Sequence, residues 1–138
     1  MSCSSDHDPV DVFNRGDYET AYKLWQPLAS RGDLDALNYL GIHYYIGLGV
    51  NRDYRKAAGY FRKAAEAGHP DAQYNLGIMY ENGQYVSQDF TTAYVWLYAA
   101  HMQGNPHAQE HMKRLSGEHK LLPNQITHAQ KLSLPYIK

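Results

Sequence analysis

A chain of 138 residues is the size of one domain, and its 13 Lys and Arg against 14 Asp and Glu leave a net charge of −1, too little for wholesale phosphate binding by a basic surface. Hydrophobic residues make up 43% and aromatics 13%, which supplies a packed core and argues against disorder, and no apolar run approaches the ~18 residues of a membrane span. The one cysteine, Cys3, excludes an intrachain disulfide and a multi-cysteine metal site within one chain.

In chain order, residues 1–8 read as a disordered N-terminus. Helices are predicted over 9–15, 17–31, 34–46, 53–67, 70–82, 89–103, 106–116 and 123–133. In the helix over 17–31, Tyr18, Ala21, Tyr22, Trp25, Leu28 and Ala29 share one face. Pro27 lies inside it and removes one backbone bond, so a kink or a shortened last turn is expected. In the helix over 34–46, Ala36, Tyr39, Leu40 and Tyr44 do the same. Tyr54, Ala57, Ala58, Phe61, Ala64 and Ala65 form the face of the next, and Phe90, Ala93, Tyr94, Leu97 and Ala100 that of the helix over 89–103. Alanines let helices approach, and the large residues fill the gaps between them.

The chain repeats itself every 36 residues. Ala36, Ala72 and Ala108 fall in register, as do Asp17, Asp53 and Asp89, Ala21, Ala57 and Ala93, and Gly32, Gly68 and Gly104. Tyr44 matches Tyr80, Gly47 matches Gly83, and Val50 matches Val86. The three aspartates are helix N-caps by type and place. The three glycines suit the left-handed residue that ends a helix. Asp33, His69 and Asn105 precede the other helices, with Pro70 and Pro106 at their first positions. The fold class that follows is all-α, an α/α solenoid of helix pairs. It is organised as a half-repeat over 9–33, repeats over 34–69 and 70–105, and a capping segment over 106–138, in one helical-repeat domain over 9–138. Tyr85 stands in the slot of Gly49, which predicts a second loop of different shape. Lys113 stands in the slot of Gly41 and Gly77 and marks that helix as part of the cap. Leu122, before Pro123, is a poor cap for the last helix.

Several segments have the residue types of chemistry. His107-Ala-Gln-Glu110-His111 spells H-x-x-E-H, in which two histidines one turn apart share a metal and the glutamate acts as base. His107 fills the slot of Asp35 and Asp71, however, and only Glu118 remains downstream as a third ligand. His43 and His101 stand in the slots of Met79 and Ala65 and read as partly buried packing residues. Gly47-Leu48-Gly49 follows a helix where a nucleotide-binding loop would follow a strand. Arg52, Arg55, Lys56, Arg62 and Lys63 read as a solvated outer face. No catalytic residue, cofactor or metal ligand is assigned.

The run Ala36-x-x-x-Leu40-Gly41-x-x-Tyr44-x-x-Gly47-x-x-Val50-x-x-Asp53, followed by an alanine-rich helix to Gly68, resembles the Sel-one-like repeat family, a relative of the tetratricopeptide repeats. A second copy runs from Ala72 to Gly104, and the resemblance extends over residues 10–133. It implies short bacterial relatives and a non-catalytic adaptor that holds another protein. In tetratricopeptide-like stacks the first helix of each pair lines the concave side, which places Asn38, Ile42, Tyr45, Ile46, Tyr74, Ile78, Glu81, Asn82, Glu110 and Arg114 on the binding face. Exposed Ile and Tyr rimmed by polar residues suit a peptide or protein segment. The partner expected is therefore another protein, with no nucleic acid and no membrane span, the chain itself being a monomer or weak homodimer. A metal-dependent hydrolase built on His107, Glu110 and His111, and a structural module joined through its stack ends, are the alternatives. A periplasmic or secreted location with the leader removed is expected, with the cytoplasm as the alternative.

Overall fold

The computed structural model describes residues 8–119 and 121–138. Cys3 and the N-terminal stretch expected to be disordered lie outside the described residues, except for Asp8. That residue is ordered as the cap of the first helix, its carboxylate accepting from Val10 N–H at 2.9 Å. Among the described residues there are eight α-helices and no strand. They are α1 (Pro9–Asn14), α2 (Tyr18–Ser30), α3 (Leu34–Ile46), α4 (Tyr54–Glu66), α5 (Pro70–Asn82), α6 (Phe90–Met102), α7 (Ala108–Gly117) and α8 (Pro123–Ser133), followed by a 3-10 turn over Leu134–Tyr136.

The ends of these helices are set by the residues expected to set them. Asp17, Asp33, Asp53 and Asp89 accept from the N–H three residues on. His69 does the same through Nδ1 to Ala72. Gly32, Gly68 and Gly104 adopt positive φ values of 86°, 101° and 95°. Helix α2 continues three residues past Pro27, which is exposed. Helix α8 begins without a side chain on Leu122 able to cap it. Gln125 instead reaches back, its Oε1 accepting from Leu122 N–H at 2.8 Å.

Two boundary expectations are corrected. Helix α7 starts at Ala108, not at residue 106, because Asn105 Oδ1 accepts from both His107 and Ala108 N–H and holds Pro106-His107 as a turn. Tyr85 does not reshape its loop. It takes φ 66°, the left-handed conformation that Gly49 holds at 71°, with its ring 62% exposed.

The chain divides into two compact units, one up to Tyr60 and one from Phe61. The core of the first is Val12, Ala21, Trp25, Ala36 and Leu40, joined by Phe13, Tyr22, Tyr39 and Tyr60 at partial burial. The Trp25 and Tyr39 rings stack at 4.4 Å. Burial raises the ionisation of the Tyr44 hydroxyl above its ordinary range, and the Tyr22 hydroxyl, 2.5 Å away, adds to the effect.

His43 is completely buried, where partial burial was expected. Its Nδ1 lies 2.7 Å from the Leu48 carbonyl, which can only accept, so Nδ1 carries the hydrogen. The rings of Phe13, Tyr18 and Tyr22 surround it at 5.3–6.5 Å, and its Nε2 has no hydrogen-bond partner. Desolvation lowers its pKa, with the Leu48 bond opposing.

The second unit centres on α6, which contacts α5, α7 and α8. Ala93, Tyr94, Val95, Leu97 and Ala100 of α6 meet Ala108, Met112 and Leu115 of α7 and Ala129 of α8. Gly77 is required by that packing. A Cβ there would lie 2.9 Å from Leu97 Cγ and 3.3 Å from the Ala93 carbonyl, inside the contact distance that α5 and α6 leave.

Candidate protein-binding site

The residues expected on a binding face fall in both units. In the first, Asn38 is buried and Ile42 and Tyr45 are half-buried, the Tyr45 ring tilted against Tyr54 at 5.3 Å. Ile46 is 57% exposed. In the second, Ile78 is half-buried and packs against the α6–α7 core, so it has the core duty that repeat alignment did not reveal. Asn82 and Glu110 are exposed.

Tyr74, Glu81 and Arg114 are brought together, and His111 joins them. Glu81 is buried near the end of α5, yet it is charged, so it requires partners. Both come from α7, one helical turn apart. Its Oε1 accepts from His111 Nδ1 at 2.9 Å, and its Oε2 accepts from Arg114 Nε at 2.9 Å and from a terminal guanidinium nitrogen at 2.8 Å. On its other side the His111 ring meets Tyr74, with Nε2 3.2 Å from the phenol oxygen. The Arg114 side chain is 41% exposed, so its outer edge still faces solvent.

This fixed cluster borders an open concavity of about 540 Å³ lined by Glu110, His111, Lys113, Arg114, Gly117 and Glu118. Lys113 therefore belongs to the site, although sequence reasoning assigned it only to the cap. His111 had been noticed only for a metal motif. Its role here depends on Glu81, 30 residues earlier, and no local pattern signals such a pairing.

The H-x-x-E-H segment does not gather into a metal centre. Both ring nitrogens of His111 are engaged with protein groups, and His107 turns its ring toward Tyr74 at 5.9 Å. Among the described residues no three His, Cys, Asp or Glu side chains converge. The basic run is partly occupied too. Arg52 and Lys56 lie over the Tyr54 and Tyr44 rings, and Arg62 donates to the Tyr80 hydroxyl. Arg55 and Lys63 are exposed.

The model of the Sel1 repeat matches residues 12–33, 34–69 and 70–105 of this chain. The chain belongs to the Sel1 repeat family. Sel1 repeat proteins are generally protein-interaction modules, and the 36-residue helix pairs here are their structural unit. Two solved structures agree. One is c5321, a protective antigen of uropathogenic Escherichia coli with this repeat fold, 30% identical with a TM-score of 0.81 over 94% of this chain and 30% of its own. The other is a Sel1 repeat protein from Oxalobacter formigenes, 26% identical with a TM-score of 0.75 over 93% of this chain and 54% of its own. The chain thus spans about a third and about half the length of these two Sel1 relatives. No curated protein matches it. No described helix is long and apolar enough to cross a membrane.

Proposed function

We propose that this Sel1 repeat chain is a non-catalytic adaptor that holds a segment of another protein against the α5–α7 face of its second unit. The observation that supports this reading most directly is the Glu81-anchored pair of Arg114 and His111 beside the open concavity. A free surface arginine loses roughly 0.5–1.5 kcal/mol of side-chain freedom when it is immobilised by a ligand. Arg114 has given up most of that freedom in folding, because Glu81 grips it through two nitrogens. Its exposed edge is thus set to donate to carbonyl or carboxylate oxygens of a bound segment. Glu110, Lys113 and Glu118 around it are both acidic and basic, which favours specificity over affinity. Tyr74 supplies an aromatic wall of the kind that dominates interface energies.

The experiment is affinity capture from a lysate of the source organism. Arg114→Ala combined with Tyr74→Ala should remove a protein that the parent chain retains, with the helical melt still cooperative. Glu81→Gln should weaken the capture by loosening Arg114. The pair Arg55→Ala and Lys63→Ala on α4 should leave it unchanged. Capture that survives the first pair and fails in the second would refute this placement.

A further inference from the structure

The stretch after α8 does not simply end the fold. Leu134–Lys138 crosses to a floor made by Gln73 of α5, Trp96 of α6 and Gln103 just beyond α6. Gln73 Nε2 donates to the Ala65 carbonyl at 3.0 Å and to the Tyr136 carbonyl at 2.8 Å. Gln103 Nε2 donates to Gln73 Oε1 at 2.8 Å and to the same Tyr136 carbonyl at 3.3 Å. Gln103 Oε1 accepts from Lys138 N–H at 2.9 Å. The Tyr136 ring rests on Trp96 at 4.5 Å, and the Lys138 side chain lies over Gly68, where a Cβ would collide with it.

Two features make this a recognition site as well as an anchor. The first is what is read. The C=O of Tyr136 and the N–H of Lys138, with extended Ile137 between them, are the pair of main-chain groups that a strand offers to a neighbouring strand. Only the aromatic ring is read as a side chain. The second is that the helix repeat does not call for the floor. Thirty-six residues earlier the slots of Gln73, Trp96 and Gln103 hold Leu37, Tyr60 and Ala67, so helix pairing needs no amide in either place.

A buried amide pair is costly unless it is satisfied. Gln73 is completely buried and Trp96 is 4% exposed, whereas the segment on top is only half-buried at Tyr136 and Ile137 and 61% exposed at Leu134. Without that segment Gln73 keeps its bonds to Ala65 and Gln103, so the floor can persist while two donors and one acceptor point outward.

We infer that the Gln73–Trp96–Gln103 groove is a binding site for an extended proline–aromatic segment of a partner protein, and that Leu134–Lys138 is its resident occupant, displaced when the partner binds. The site is separate from the Arg114 face and does not depend on it. A tethered occupant competes at an effective concentration in the millimolar range, so an untethered peptide gains access only when the resident segment is weakened.

The test uses the 138-residue chain carrying Tyr136→Ala, labelled with ¹⁵N, and the blocked peptide Ser-Leu-Pro-Tyr-Ile-Lys. The peptide should produce saturable shifts of the Gln73 and Gln103 side-chain amides and the Trp96 indole, with a Kd on the order of 0.1–1 mM. Replacing its tyrosine by alanine should weaken it at least tenfold, and so should using the parent chain as receptor. Adding Gln103→Ala should abolish binding without further lowering the melting temperature by more than a few degrees.

Absence of saturable shifts in the Tyr136→Ala chain overturns the proposal, as does equal binding of the two peptides. Loss of the helical fold in Tyr136→Ala also overturns it, since the segment would then be a structural strap. Concentration-dependent dimerisation of the parent chain that vanishes in Tyr136→Ala would assign the groove to the same segment of a second copy and overturn the partner assignment.

Discussion

Two residues hold conformations or surroundings that cost free energy, and each gives a measurable consequence. His43 sits completely buried and its pKa is lowered. Above the unfolded value of about 6.5, His43 is neutral in both folded and unfolded chains, so nothing is lost there. As the pH falls below that value, the unfolded chain takes up a proton that the fold resists, and stability declines until the pH passes the folded pKa. His43→Met, which copies Met79 of the next repeat, should therefore lose less melting temperature than the parent between pH 7.5 and pH 5. An equal loss in both would place the acid sensitivity elsewhere. Tyr85 is the second case. A non-glycine residue at φ 66° costs about 1–3 kcal/mol, and its exposed ring gains little from packing in return. Tyr85→Gly should raise the melting temperature by about 2–4 °C after the greater freedom of glycine in the unfolded chain is subtracted. A lower melting temperature would mean that the ring has a packing role.

At the scale of elements, the close pairing of α5 with α6 should dominate the stability of the second unit. Leu76→Ala empties a completely buried site and should cost about 2–5 kcal/mol in denaturant melts. Gly77→Leu should cost at least as much, because even its first carbon would meet Leu97 and the Ala93 carbonyl. Unchanged melts in both variants would contradict the core assignment. The helices themselves were legible because their signals are local. The Asp17, Asp53 and Asp89 caps, the Gly32, Gly68 and Gly104 ends, and the alanine faces lie within a few residues of what they control. Helix α7 departed from expectation because Asn105 binds two consecutive N–H groups and delays the start, a choice that Pro106 does not announce. The candidate sites were less legible because their defining bonds are distant in sequence. Glu81 looked like an exposed rim residue by repeat position, yet His111 and Arg114 reach it from 30 and 33 residues away. Gln73 meets the Tyr136 carbonyl across 63 residues, and no periodicity encodes that contact.

At the scale of the whole molecule, a near-neutral Sel1 repeat chain offers a partner small, pre-ordered patches in place of one charged surface. The pocket side of α7 is the patch whose arginine is already fixed, and binding there should depend on orientation more than on net charge. Moderate salt should then weaken the interaction only a few-fold, far less than the several decades expected of polyelectrolyte contacts. The most direct measurement is site-specific photo-crosslinking in cells of the source organism, with a benzophenone amino acid at Lys113 beside the Arg114 concavity or at Lys63 on α4. The Lys113 probe should yield a discrete crosslinked protein, and Arg114→Ala should remove it. A discrete product from Lys63 alone, or a Lys113 product indifferent to Arg114→Ala, would contradict the account.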